Sequence, residues 1–402
     1  MSWIDDPEFT PGKPFGPQTL PYGVLGTSSG PTVAVRVGRH ALPLRGIAES
    51  LGPRLADLVD GASLDPLLAA GPQAWRELRE RMTGIVTADR APAGAELLRA
   101  DWHTLLLPFT VADYVDFYSS RHHAENVGHI LRGGDVTPLT PNWTHLPIAY
   151  HGRSGTVVVS GTDIERPCGQ RKTSREPPPV FGPTRRLDFE AEVGFVCGGE
   201  STSAVSTADL GEHVFGAALV NDWSARDIQS WEAQPLGPFL AKSFATSIAG
   251  WITPLEAFEE ARVPTPEPEH ALQDYLVESE PWGLDLRLQV QCNDTVISRP
   301  PFAEMAWSPA QQLAHMTING ATVRPGDLFA SGTVSGPDPG HRGSLLELTW
   351  GGTDPVTLDD GEQRTFLQDG DRVTVSGSAP GRGGSVVGLG EVTGTILTAT
   401  RR

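Results

Sequence analysis

Glu190 and Glu192 stand two residues apart in Arg186-Leu187-Asp188-Phe189-Glu190-Ala191-Glu192-Val193-Gly194-Phe195-Val196, a run in which apolar and acidic residues alternate. On an extended strand, such neighbours point the same way with Cα atoms roughly 6.5–7 Å apart. Two carboxylates placed like this can converge on one cation, whose oxygen ligands sit at about 2.1–2.6 Å. The same alternation puts Leu187, Phe189, Ala191, Val193 and Phe195 on the opposite face. A solvated face on an antiparallel sheet is therefore the competing reading. Against it, Glu is depleted in strands, and like charges this close repel unless something neutralises them.

A second carboxylate, Asp222, stands where the apolar run Phe215-Gly216-Ala217-Ala218-Leu219-Val220 gives way to Asn221-Asp222-Trp223-Ser224-Ala225-Arg226-Asp227. The pattern predicts a buried strand ending at Asn221-Asp222 and a helix beginning after it. Asp222 is then either an N-cap or a ligand at a strand end facing a cavity. A third segment is Asp113-Tyr114-Val115-Asp116-Phe117-Tyr118-Ser119-Ser120-Arg121-His122-His123, continuing to Gly128. Ser119 or Ser120 reads as an N-cap and Gly128 as a stop, which places His123 in the first turn of a short helix. The positive end of a helix disfavours imidazolium and suits a general base, although a His pair also commonly packs or faces solvent. The candidate ligands are all oxygens, which selects Mg²⁺, Ca²⁺ or Mn²⁺ over zinc.

These residues need a rigid frame, and the rest of the chain predicts one rich in strands. The sequence has 402 residues with 45 Gly and 35 Pro spread along it, a pattern of many turns between short strands. Residues 1–107 read as a small β-rich module followed by helices over Ile47–Leu58 and Trp75–Ile85. Residues 108–402 read as a larger part dominated by strands, including Thr156–Val159, Leu187–Val196, Leu284–Val290, Leu345–Trp350 and Arg372–Val375. Its clearest helices are Ser224–Trp231 and Pro309–Met316. Val263-Pro264-Thr265-Pro266-Glu267-Pro268-Glu269 is a surface loop. Gly381-Arg382-Gly383-Gly384 has no helix after it and reads as a hairpin turn rather than a dinucleotide fingerprint.

Lys and Arg number 31 against 49 Asp and Glu, a net charge of −18. That balance argues against nucleic acid and anionic membrane as partners. Cys168, Cys197 and Cys292 have no CxxC spacing and are expected as buried free thiols. The acidic start Met1-Ser2-Trp3-Ile4-Asp5-Asp6 lacks an apolar leader, and no stretch approaches 18 consecutive apolar residues. The expectation is a cytoplasmic protein.

Several long segments, in order, resemble the fumarylacetoacetate hydrolase family. They are Tyr114–Arg121, Pro141-Asn142-Trp143 with Tyr150-His151-Gly152-Arg153, Asn221–Gln229, Pro235–Phe244, Arg324–Thr333 and Gly343–Leu348. The resemblance runs from Leu20-Pro21-Tyr22-Gly23-Val24 almost to the C-terminus. It implies a mixed, mainly β homodimer whose subunits have a small N-terminal SH3-like β-barrel and a large C-terminal β-roll domain. The implied reaction is metal-dependent hydrolysis of a carbon–carbon bond of 4-fumarylacetoacetate to fumarate and acetoacetate, the last step of tyrosine and phenylalanine breakdown.

By the matching positions, Asp116, Glu190, Glu192 and Asp222 would hold Ca²⁺ or Mg²⁺. His123 would be the base and Glu347 its orienting partner. Arg132, Gln229 and Lys242 would bind the oxygens that become negative, and Tyr118, Tyr150 and Thr333 would line the pocket for a small diketo acid. Lys242 and Thr246 would border a second, Mg²⁺-type ion beside Asp222. The family pattern carries a substrate-contacting Tyr after Trp231-Glu232, where this chain has Ala233. The chemistry is coherent, since a divalent ion polarises a 1,3-diketone while a held histidine takes a proton from water. Competing readings are an acylpyruvate hydrolase or oxaloacetate decarboxylase sharing the carboxylate ligands, and a non-catalytic calcium-binding protein.

Overall fold

The computed structural model describes residues 2–132, 137–172 and 178–400. The first strands, Tyr22–Thr27, Gly30–Val37 and His40–Pro43, form an antiparallel meander, to which Leu98–Arg99 and Thr104–Leu106 return. Between them lie short helices. The helix expected over 47–58 divides into Ala48–Leu51 and Pro53–Val59 because Gly52 takes φ 80° and Pro53 starts the next segment. The second expected helix is Pro72–Thr87, with Trp75, Leu78, Met82 and Val86 buried on one face.

Among the described residues the N-terminal strands do not close into the expected barrel. Tyr22 and Gly23 instead pair with Ile252 and Trp251, so the meander continues into one large sheet. Its order is Leu98–Arg99, His40–Pro43, Gly30–Val37, Tyr22–Thr27, Trp251–Pro254, Val214–Asp222, Ala191–Cys197, Asp327–Ala330, Asp113–Phe117 and Ala149–His151. The core is equally continuous. Phe215 of the larger part packs against Tyr22 and Trp75, with ring centroids 5.8 and 5.6 Å apart. A mainly β mixed fold results.

A second sheet contains Thr295–Ser298, Arg287–Cys292, Arg372–Gly381, Ser385–Leu397 and Ile164–Glu165. Its long hairpin turns at Arg382–Gly384, where Gly383 and Gly384 have φ 65° and 78°, as the glycine run predicted. The helix expected over Pro309–Met316 is Pro309–Thr317, capped reciprocally by Ser308 and Gln311. The Pro- and acid-rich segment after Val263 is an exposed loop. Cys197 and Cys292 are buried free thiols, whereas Cys168 is only half-buried. No helix among the described residues is long and apolar enough to cross a membrane.

Three expected strands differ, the one over Leu284–Val290 being broken into Gly283–Leu284 and Arg287–Cys292. The strand expected over Leu187–Val196 is interrupted at Phe189-Glu190, giving Leu187–Asp188 and Ala191–Cys197. Leu345–Leu348 is a helical turn, not part of a strand, because Ser344 caps it by accepting the N–H of Glu347. Ser344-x-x-Glu347 has the spacing of a helix start, which the apparent alternation of Leu346 and Leu348 conceals.

Candidate active site

The large sheet assembles the carboxylates through its register. Ala191 pairs with Asn221 and Glu192 with Val220, so the end of Val214–Asp222 lies beside the start of Ala191–Cys197. Ala330 links the two sides of the site, pairing with Gly194 on one flank and with Asp116 on the other. Asp116 in turn pairs with Tyr150, and Asp222 with Thr246. Ligand oxygens of Asp116, Glu190, Glu192 and Asp222 consequently lie within 4.8 Å of one another, and all four residues are buried. A solvated face is ruled out. Every residue of Ala191–Cys197 is buried, so both faces of the strand are covered.

The donor set fits a divalent cation on a physical ground. Both oxygens of Glu192 and Oδ1 of Asp116 are buried without a hydrogen-bond partner. Burial, followed by the Asp222 charge, pushes the Asp116 pKa far above the usual carboxylate range; burial with Asp116 and Asp222 does the same to Glu192. Ionised carboxylates packed this way are costly unless a cation completes them. Oxygen donors alone favour a hard ion.

The other side of the cluster is already neutralised. Lys242 Nζ donates to Glu190 Oε2 and, at 2.7 Å, to Asp222 Oδ2. Arg226 Nη1 reaches Glu190 Oε1 at 2.7 Å. Burial alone would raise the pKa of Glu190, but Arg226, Lys242 and His123 overcome it and hold the carboxyl well below its ordinary range. Burial likewise opposes the Lys242 charge, yet Asp222 and Glu190 keep its pKa above the usual lysine value. Tyr150 and Thr246 hydroxyls donate to Asp222 Oδ2 and Oδ1 at 2.8 and 3.1 Å. Asp222 is thus no helix cap.

His123 stands against this cluster. The helix Arg121–Arg132 is capped by Ser120, whose Oγ accepts the His123 N–H at 3.2 Å. It runs through Gly128 rather than stopping there; a Cβ on Gly128 would lie 2.2 Å from the Pro138 carbonyl oxygen, so close packing requires the glycine. His123 Nδ1 donates to Glu347 Oε2 at 2.6 Å, and Nε2 lies 3.9 Å from Glu190 Oε1. With Nδ1 engaged as donor, Nε2 is the acceptor nitrogen and faces the carboxylates. Glu347 is held in turn. Asn126 Nδ2 donates to Oε1 at 3.0 Å, and the Ser335 and Ser344 hydroxyls donate to Oε2 at 3.0 and 2.8 Å. Burial works to raise its pKa, but His123, Asn126 and Ser344 bring it below the ordinary value.

Around this centre, the Tyr118 ring meets His123 edge-on at 5.3 Å. Thr333 is buried and its hydroxyl has no partner. The Gln229 carbonyl accepts from Arg226 Nη1 at 3.3 Å, which leaves its NH₂ as the donor. Ala233 is the C-cap of the helix Arg226–Glu232. The Arg132 side chain lies outside the described residues. Sequence reasoning missed Arg226, Asp188, Asn126 and Ser335. Arg226 had a signal: it sits one turn before Gln229 in a segment already singled out, and a buried carboxylate cluster calls for buried cations.

Comparison with known proteins matches both parts of the chain to one family. Residues 18–108 match the fumarylacetoacetase N-terminal family, and residues 113–397 match the fumarylacetoacetate (FAA) hydrolase C-terminal family. The fumarylacetoacetase of Mus musculus is 42% identical over 403 residues, covering 95% of this chain and 96% of the relative. That of Arabidopsis thaliana is 42% identical over 402 residues, covering 94% and 95%. The solved fumarylacetoacetate hydrolase of psychrophilic Exiguobacterium antarcticum superposes with a TM-score of 0.57 at 16% identity, covering 94% of this chain and 99% of that one. At that identity the likeness speaks for the fold alone. With a carboxylate cluster able to hold a cation, a held histidine facing it, and matches to both family segments and to full-length relatives, this chain belongs to the fumarylacetoacetate hydrolase family.

Proposed function

We propose that this chain hydrolyses the carbon–carbon bond of 4-fumarylacetoacetate, a 1,3-diketo acid, to fumarate and acetoacetate, the last step of tyrosine and phenylalanine breakdown. The observation that carries this reading is the acceptor nitrogen of His123 facing the carboxylate cluster, in a chain 42% identical over nearly its full length to a fumarylacetoacetase. Asp116, Glu190, Glu192 and Asp222 would hold a divalent cation, Ca²⁺ or Mg²⁺ with Mn²⁺ also compatible, which would supply Lewis-acid polarisation of the diketone. His123 Nε2 takes a proton from water, and Glu347 keeps the ring in the required tautomer and stabilises the imidazolium that forms. The resulting hydroxide adds to the carbonyl next to the scissile bond. Arg132, Gln229 and Lys242 donate to the developing oxyanion, where loss of one donor typically costs on the order of 10²–10³ in turnover. The carbon–carbon bond then breaks, and the departing carbanion takes up a proton. Tyr118, Tyr150 and Thr333 line the substrate, and Lys242 with Thr246 would border a second, Mg²⁺-type ion.

The division at residues 107 and 108, with an SH3-like first part and a β-roll second part, is supported by the resemblance alone. A cytoplasmic homodimer belongs to the same reading. It is supported by Phe181, Phe239 and Leu240, which are exposed and line a cleft of about 1020 Å³, an apolar surface of the kind that interfaces cover. Sedimentation of the purified protein at twice the chain mass checks this.

The test of function is the loss of fumarylacetoacetate absorbance, with and without Ca²⁺ or Mg²⁺. Metal-dependent release of fumarate and acetoacetate is expected. Ala233 favours one alternative, an acylpyruvate hydrolase or oxaloacetate decarboxylase, because a hydroxyl contact is missing there. Release of CO₂ from oxaloacetate, with fumarylacetoacetate untouched, would establish the decarboxylase instead.

A further inference from the structure

Two residues outside the reaction join the halves of the site. Asp188 is fully buried and uses both oxygens twice. Oδ1 accepts the N–H groups of Phe189 and Leu345 at 2.8 and 2.7 Å; Oδ2 accepts the N–H of Leu346 at 3.0 Å and Arg226 Nε at 2.8 Å. Leu345 and Leu346 begin the turn that carries Glu347. Arg226, also buried, extends Nη1 to Glu190 Oε1 at 2.7 Å. One guanidinium therefore ties a carboxylate of the cation cluster to the segment that orients His123.

We infer that Asp188 and Arg226 act as one positioning unit, fixing the cation site relative to the His123–Glu347 pair. The inference rests on the reading of this site as a cation-dependent hydrolase. A carboxylate receiving four N–H groups cannot turn, and the planar guanidinium fork spans two carboxylates at a set separation that an ammonium cannot reproduce. Arg226 also occupies the Glu190 oxygen that lies 3.9 Å from His123 Nε2, which leaves that nitrogen without a hydrogen bond to Glu190. Neither Asp188 nor Arg226 needs to touch substrate or ion for this.

The test uses chelator-stripped full-length protein in which Ca²⁺ affinity is measured by calorimetry, and kcat and KM for fumarylacetoacetate at saturating Ca²⁺. The variants are D188N, R226K and D188N/R226K. Each single change is expected to lower both Ca²⁺ affinity and kcat by about 10–100-fold, the usual effect of losing a residue that orients a metal ligand, with KM within a few-fold of the parent. The double variant should cost no more than the worse single one, as residues acting as a unit do. The inference is overturned if folded D188N and R226K keep the parent affinity and kcat, if KM alone moves, or if the losses multiply. Should D188N not fold, R226K decides on the same two readouts, because it keeps the charge beside Glu190 but loses the fork. If the parent binds Ca²⁺ yet cleaves no diketo acid, the proposed function falls while the affinity titration still judges the link.

Discussion

Glu192 and Glu347 are both wholly shielded from solvent, yet their surroundings are opposite. Glu347 receives donors from His123, Asn126, Ser335 and Ser344, whereas neither oxygen of Glu192 has a partner. A buried carboxylate such as Glu347, whose lone pairs are filled by the chain itself, can serve the folded framework. One whose lone pairs are empty costs stability until something else fills them. Burial does not tell Glu192 and Glu347 apart; their satisfied oxygens do, whereas Glu190 and Asp222 face the cluster and also accept from Lys242.

This contrast can be broken by experiment, most forcefully with a chelator. Removing divalent ions should abolish turnover of fumarylacetoacetate while the far-ultraviolet circular dichroism spectrum stays that of the loaded protein. Global unfolding on chelation would mean that the Glu192 side of the site is framework after all. Next in size, His123→Ala should lower kcat by about 10²–10⁴-fold, the range of general-base catalysis. Turnover within a few-fold of the parent would remove His123 from the reaction.

A sharper comparison sets Glu192→Gln against Glu347→Gln by thermal unfolding of the metal-free protein. E192Q relieves an uncompensated charge and should raise the melting temperature while weakening Ca²⁺ binding. E347Q faces donors with a donating amide and should lower stability by about 1–3 kcal/mol. Equal signs for the two variants would erase the distinction.

The smallest expected effect is a pH dependence at Asp6, another filled carboxylate, far from the site. Burial tends to raise its pKa, but the N–H groups of Arg39 and Glu8 and the ring of His40 bring it below the ordinary 3.8. A lowered folded pKa contributes stability above the ordinary value and loses it as pH falls through the folded one. The stability gap between parent and Asp6→Asn should therefore be constant from pH 7 to about pH 5 and shrink towards pH 2, as melting curves across that range would show.

What was legible in the residues follows the range of the interactions involved. The carboxylates of Glu190 and Glu192 were readable because alternation is a local rule, and Asp222 because an apolar run ends there. Whether their face met water was not readable, since that depends on side chains packed over it from distant segments, such as His123 and Lys242 beside Glu190. Ser344 and Glu347 carried a helix-start spacing that the competing Leu346/Leu348 alternation masked over so short a run. Gly52-Pro53 marked a break that the apolar periodicity on either side obscured. The open N-terminal meander could not be foreseen, because its partner strand begins at Trp251. Arg226 went unassigned because its role lies in what it joins.

That pairing of Tyr22–Gly23 with Trp251–Ile252 also bears on how the chain is made. About 230 residues separate the two segments, and ribosomes add roughly 5–20 residues per second. For about 10–40 s the nascent meander would therefore present unpaired backbone at Tyr22–Gly23, the kind of open edge that recruits other chains. Closing that edge therefore waits until Trp251 and Ile252 have been made.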